Sequence, residues 1–175
     1  FDLNHNSATA SWDFGAKATQ VDTKTNWSLT PESNTALGPV ERFDYKEQVI
    51  AGYARMERSW GQWSLASGLR YENTQIERFS TQEALEDLRY ENWFPEVTIA
   101  QELPNEQSWG VGYLKKIQRP RYQALNPFRY YLNESNFNQG NPNLVPAIEE
   151  KLNMFYTLGQ AWYFEAYYQQ IDKAL

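Results

Sequence analysis

The 175-residue chain contains no cysteine and a single histidine, His5. The first absence removes a disulfide framework and any cysteine-based zinc or iron–sulfur site. Positive charge is also short, with 16 Lys+Arg against 22 Asp+Glu and a formal charge of −6. Nucleic-acid binding depends on a basic surface that displaces counterions, so no nucleic-acid partner is expected. No run approaches the roughly 20 apolar residues that a membrane-spanning helix needs. The opening residues, Phe1-Asp2-Leu3-Asn4-His5, include no initiator Met, basic n-region or apolar h-region, so they do not read as a signal peptide. The last residues, Gln170 to Leu175, stop inside what reads as a strand. Both ends therefore suggest a processed or excised piece of a longer protein.

Aromatic side chains are what the chain has in excess, at 16% with 7 Trp and 12 Tyr. Rings favour strands, and Trp and Tyr collect where membrane meets water. Such a composition, with 22% charged residues, argues against disorder.

The dominant pattern has period two, which indicates strands. Trp12, Phe14, Ala16 and Ala18 alternate with Asp13, Gly15, Lys17 and Thr19. Trp63, Leu65, Leu69 and Tyr71 oppose Ser64, Ala66, Gly68, Arg70 and Glu72. Similar alternation runs from Trp109 to Tyr113, Leu152 to Leu158 and Trp162 to Gln169, and about seven strands are readable. Two of them, Asp44–Arg58 and Gln62–Phe79, exceed the usual five or six residues.

Connector lengths alternate strictly. Trp60-Gly61-Gln62, Pro104-Asn105-Glu106 and Leu158-Gly159-Gln160 are short, whereas residues of about 30–42, 80–90 and 119–147 form long loops. In an up-and-down meander, all short turns then lie at one end. Outer-membrane barrels have that asymmetry, with short periplasmic turns and long extracellular loops. Trp60, Trp63, Trp109 and Trp162 fall beside short turns, as one interfacial girdle requires, while Trp27 and Trp93 lie near long loops, where the other belongs. The fold class expected is all-β, an antiparallel meander forming part of a transmembrane barrel. Residues 1–175 read as one such segment. The polar-face charges Lys17, Arg70, Glu72 and Glu165 would be costly in a dry sandwich core but inexpensive in a wet or plug-filled lumen.

Catalytic constellations are weak. His5 lies in a polar terminal run with no orienting partner in sequence. There is no phosphate-binding glycine loop, Gly-x-Ser-x-Gly or His-Glu-x-x-His. Glu149 and Glu150 are adjacent and so point to opposite faces of a strand. Glu83, Glu86 and Asp87 read as a solvated acidic loop with room for a short helix, a calcium site being the alternative. Neither an enzyme nor a cofactor is expected. In the longest loop, Arg121, Tyr122, Arg129, Tyr130 and Tyr131 are the ligand-site candidates, because cations and rings meet anionic or ring-bearing ligands; the competing reading is that they pack the loop onto its neighbours.

Arg119-Pro120-Arg121-Tyr122-Gln123-Ala124-Leu125-Asn126-Pro127-Phe128, followed by Gly140-Asn141-Pro142-Asn143-Leu144-Val145-Pro146, resembles the C-terminal barrel region of TonB-dependent outer-membrane receptors. The narrower resemblance is to the outer-membrane β-barrel family of such receptors that often carry an N-terminal carboxypeptidase-regulatory-like domain. Gly15-Ala16-Lys17, the stretch from Gly68 to Thr74 and Phe94-Pro95 also match, whereas Ala147 stands where that family usually has an acidic residue. The resemblance implies a parent barrel of about 22 strands around a plug, which imports a scarce nutrient such as a siderophore or glycan. The implied partners are outer-membrane lipid, the rest of the barrel with its plug, an extracellular small-molecule or glycan ligand, and TonB through a segment this chain lacks. The alternative from the residues is a soluble β-rich module binding carbohydrate or another ligand, with Trp12, Trp63, Trp109 and Trp162 buried in its core.

Overall fold

The computed structural model describes residues 1–7, 9–28, 40–133 and 135–173, and of Tyr131 and Lys173 the backbone alone. The first six strands follow in chain order: β1 (Asp2–Asn6), β2 (Ala10–Trp27), β3 (Glu41–Trp60), β4 (Trp63–Ser80), β5 (Leu88–Leu103) and β6 (Gln107–Gln118). A single helical turn, α1 (Tyr122–Leu125), and a small hairpin, β7 (Tyr130–Asn133) with β8 (Asn136–Asn138), occupy the next connection. Strands β9 (Ala147–Leu158) and β10 (Trp162–Lys173) complete the chain. All but β7 and β8 form one open antiparallel sheet in the order β1-β2-β3-β4-β5-β6-β9-β10. The strand beyond the expected seven is β1, which is too polar to show an alternating pattern yet pairs with Ser11–Gly15. No helix forms between β4 and β5, where residues 81–83 bend and 84–87 adopt no regular element. The loop expected at residues 30–42 lies mostly outside the described residues.

Directly paired residues of antiparallel strands point to the same side, so the register sorts every side chain. One row runs Trp12, Met56, Ser67, Val97, Tyr113, Leu152, Tyr168. This outer face is apolar and open. Trp12 keeps 38% of its surface exposed and Trp162 keeps 62%, and neither belongs to the buried cluster. Between the lower aromatic row (Trp60, Trp63, Trp109 and Trp162) and the upper one (Tyr71, Trp93, Tyr113 and Tyr168), the one charge that a described residue places on this face is that of Arg58, next above Trp60, whose guanidinium lies over the Trp60 ring at 5.9 Å. Trp93 stacks obliquely on Tyr71 with ring centroids 4.8 Å apart. The adjacent rows carry the charges. Lys17, Ala51 and Glu72 form one inner row, and Arg70 pairs with Tyr53 and Phe94. Glu165 is also on the inner side, opposite Phe155. The polar face is thus the inner one, the side on which the long loop packs, and apolar side chains line the exterior.

Trp60, Trp63 and Trp109 share one row across β3–β6, but from β2 to β10 the lower edge of the apolar band shifts obliquely across the strands. The row through Trp12, the lowest ring on β2, meets β10 at Tyr168, six residues above Trp162. Six residues at about 3.3 Å over six strand spacings of about 4.8 Å make a slope of about 35°. Staves of a membrane barrel tilt by roughly 35–45°. A band level with the membrane is oblique to tilted strands by that same angle.

Trp27 corrects the expected upper girdle. It pairs with Glu41 on the inner row and packs against the cluster of Phe43, Tyr45, Ile76, Leu125 and Phe128. That cluster sits on the inner side at the long-loop end, and two of its members come from the connection between β6 and β9.

Two sequence features shape the wall. On the inner face Gly110 lies under the Phe155 ring, where a Cβ would collide with it, and Gly15 lies likewise under Tyr53. Glycine lets a neighbouring ring lie flat on the strand. Pro95 has no N–H to donate, and the β5–β6 ladder stops at the next residue, Glu96, which pairs with Leu114. Above that point β5 and β6 separate, and the chain leaving β6 turns into the opening.

Candidate functional site

The loop from Arg119 to Pro146 folds inward over the sheet. Pro120 cannot continue the β6 ladder, so the chain breaks there and turns once through α1. Asn126 precedes Pro127, which disfavours helical backbone, and its φ of −69° and ψ of 115° end the turn. The Asn126 side chain then accepts a hydrogen bond from the Phe128 N–H at 3.0 Å. Leu125, Pro127 and Phe128 are thereby driven into the cluster on β3 and β4, where they are fully or almost fully buried. Each such burial contributes about 1.5–3 kcal/mol, enough for these few residues to hold the loop down.

The returning arm is stapled to the first. The Gly140 N–H donates to Asn126 O at 2.8 Å, and the Asn141 N–H donates to Ala124 O at 2.7 Å. A Cβ on residue 140 would sit 2.5 Å from Asn126 O and 2.6 Å from Ala124 O, so only glycine permits this approach. Asn141 accepts from the Asn143 N–H at 2.9 Å and so shapes the turn around Pro142, whose carbonyl takes a 2.7 Å hydrogen bond from Arg78 of β4.

Arg119 is the polar anchor at the base of the loop. Its Nη2 donates to Glu72 Oε2 at 2.6 Å and to Thr74 Oγ1 at 3.1 Å. Its Nε lies 3.0 Å from Glu47 Oε1, an ion pair without hydrogen-bond alignment. Arg70 holds the other oxygen of Glu72 at 2.5 Å. Burial acts to lower the Arg119 pKa, but the hydrogen bond to Glu72 and the charges of Tyr90, Glu72 and Glu47 outweigh it, so the guanidinium is held above its usual value. The sequence shows Glu72 on a polar face, but no local signal in it pairs Arg119 with a strand 45 residues earlier.

The five loop candidates separate in space. Tyr122 turns toward the sheet, with its hydroxyl 2.7 Å from Thr25 Oγ1 and its ring stacked on Phe43 at 5.8 Å. Arg129 lays its guanidinium over the Phe137 ring at 4.9 Å. Arg121 is exposed at the start of α1 and makes no side-chain cap there. Tyr130 is 69% exposed. The side chain of Tyr131 lies outside the described residues. Tyr122 and Tyr130 therefore meet at one cleft of about 750 Å³ between the two loop arms, while Arg121 and Arg129 are not part of its lining. Amide side chains from Gln123 and Asn138 also line it, and sequence reasoning passed over them because isolated amides carry no motif.

The remaining acidic candidates fall apart as catalytic pairs. Glu149 is buried facing inward, 2.9 Å from Lys116, and Glu150 pairs with Lys115 at 3.1 Å on the opposite face. Asp87 accepts a hydrogen bond from the Arg78 N–H at 3.2 Å. Among the described residues, no group of three or more histidine, aspartate or glutamate side chains is placed to hold a metal ion. His5 is exposed on the outer face of β1, opposite Trp12.

No curated protein matches the chain. The description "Outer membrane protein beta-barrel family" matches residues 1–174. An outward apolar band bounded by two aromatic rows, a charged inner face and strands inclined as barrel staves agree with that match, and the chain belongs to the outer membrane protein beta-barrel family and resides in the outer membrane.

Proposed function

We propose that this wall belongs to a TonB-dependent receptor that imports a scarce nutrient. The observation that carries the reading is the inward fold of the Arg119–Pro146 loop, which the Arg119–Glu72–Glu47 anchor and the Leu125–Phe128 cluster clamp onto the inner face. A passive pore is served by an open lumen. A loop fixed across the lumen at the extracellular end suits a receptor that first captures its cargo and then needs energy to release it inward. The lumenal face supports this too, because ion pairs such as Lys116–Glu149 and Lys151–Glu165 suit a wet or plug-filled interior rather than a dry core. The strands also rise beyond the band. On β3 the outer row above Ile50 continues through Gln48, Lys46, Asp44 and Arg42, so the wall stands well clear of the lipid.

The test is uptake of labelled ferric siderophores, cobalamin and neutral oligosaccharides by cells with and without the gene, each in the presence and absence of TonB. The expected result is gene-dependent uptake of one cargo class that vanishes without TonB. Gene-dependent uptake that persists unchanged without TonB would identify a passive pore and overturn the proposal.

A further inference from the structure

We infer that the cleft between the two arms of the Arg119–Pro146 loop is a binding site for an uncharged, polyhydroxylated ligand, an oligosaccharide segment. The clefts differ in charge. The lumenal one beneath the loop is lined by Arg55, Arg70, Glu96 and Lys116 among others, and another at the strand tops by Asp22, Lys24, Arg42 and Asp44 among others. The loop cleft has no Asp, Glu, Lys or Arg in its lining. Five amide side chains line it instead: Gln123, Asn126, Asn138, Gln139 and Asn141.

The chemistry of those groups selects the ligand. An amide offers two donors and an acceptor in one plane, which matches the adjacent hydroxyls of a sugar, each both donor and acceptor. Asn126 and Asn141 use their oxygens to cap backbone N–H groups at 3.0 and 2.9 Å, which fixes their orientation and leaves their NH₂ donors over. Gln123 and Asn138 have no side-chain hydrogen bond to another described residue. Tyr130, with 69% of its surface exposed, adds a ring face on which the C–H side of a sugar can stack. An anionic ligand such as a phosphate or a ferric carboxylate complex would find no countercharge in the lining, because Arg129 lies outside it, hydrogen-bonded to Gln139 Oε1 at 3.4 Å and laid over Phe137. A short peptide would bring two charged ends with the same deficit. A purely apolar ligand would leave the amides of Gln123 and Asn138 and the spare NH₂ donors of Asn126 and Asn141 without water or partner.

The floor of the cleft is also rigid. The two backbone hydrogen bonds from Gly140 and Asn141 to Asn126 and Ala124 join its arms, and the buried Phe128 supports it from below. A preformed cleft loses less ordering entropy on binding, and its volume of about 750 Å³ accommodates several sugar rings.

The inference rests on the import reading only for the fate of the cargo; binding is tested by itself. The full-length protein, in a detergent without a sugar headgroup, is titrated calorimetrically with maltohexaose, cellohexaose, xylohexaose and mannohexaose, and with hexagalacturonate and hexaalanine. At least one neutral hexaose is expected to bind. Tyr130→Ala, and separately Gln123→Ala with Asn138→Ala, should weaken it at least tenfold without moving the melting temperature. Tyr130→Phe, which keeps the ring, should stay within threefold. Failure of every neutral hexaose, tighter binding of hexagalacturonate or hexaalanine, or unchanged affinity in Tyr130→Ala would overturn the inference. A hexaose that binds but enters without TonB would sink the import reading and leave this one standing.

Discussion

A charge placed on the outer face should be far more damaging than one placed a single residue away on the inner face. Val97 tests this best. It lies on β5 four residues below Trp93 of the upper row and four above Gln101, whose partners are Trp63 and Trp109 of the lower row. At about 3.3 Å per residue and a tilt of about 35°, it stands about 11 Å from Trp93 and from Gln101 on its own strand, while Tyr113 of the upper row pairs with it directly on β6. On β5 the two levels are then about 22 Å apart, close to the roughly 25 Å apolar band of outer-membrane barrels. Val97→Arg places a guanidinium inside this apolar band, where Arg costs about 2–4 kcal/mol near the midplane. The control is Ala66→Lys, one row over on the inner face, where the new ammonium faces Glu57 directly across the ladder. An exposed pair of that kind contributes about 0–1 kcal/mol. The measurement is urea unfolding of the full-length protein in lipid vesicles, followed by gel mobility. Val97→Arg should lower the folded-to-unfolded ratio by about 30- to 900-fold, at 1.36 kcal/mol per tenfold. A loss under about 1 kcal/mol for Val97→Arg, or an equal loss for Ala66→Lys, would show that the faces have been assigned the wrong way round.

Arg119→Ala should free the loop. It leaves Glu72, only 6% exposed, without its guanidinium partner from the loop. Breaking a buried pair costs about 3–5 kcal/mol, reduced here to about 2–3 because Arg119 keeps a quarter of its surface. Limited proteolysis within residues 119–146 should accelerate by about 30- to 150-fold, in line with the population of the opened loop, and an unchanged rate would refute the anchor. Lys in place of Arg119 should recover only part of this, since an ammonium lacks the fork that reaches Glu47 and Glu72 together. Among single-Trp versions of the protein, those retaining Trp63, Trp93, Trp109 or Trp162 should be quenched by lipids carrying bromine in their tails, and that retaining Trp27 should not; strong quenching of Trp27 would contradict its place on the inner cluster.

The alternation of Trp63, Leu65, Leu69 and Tyr71 with Ser64, Ala66, Gly68, Arg70 and Glu72 was enough to read the strands, their two faces and the end that carries the long loops. Parity is a local property, because successive side chains on a strand must point to opposite sides whatever else the chain does. Nearness to a loop suggests a girdle position for Trp27, although its odd position on β2, opposite in parity to Trp12 and Phe14, already places it inside. The strand β1 gave no signal since Asp2-Leu3-Asn4-His5-Asn6 is polar on both sides, and only pairing with β2 makes it a strand. Tertiary structure alone decided the inward fold of the Arg119–Pro146 loop, the fate of Tyr122 as an anchor and the gathering of Gln123, Asn138 and Tyr130 around one cleft. Those outcomes rest on contacts such as Phe43 with Tyr122 and Glu72 with Arg119, between residues separated by dozens of positions. No periodicity in a single segment encodes which distant surface a loop will cover, because that choice depends on the shape left open where β5 and β6 part.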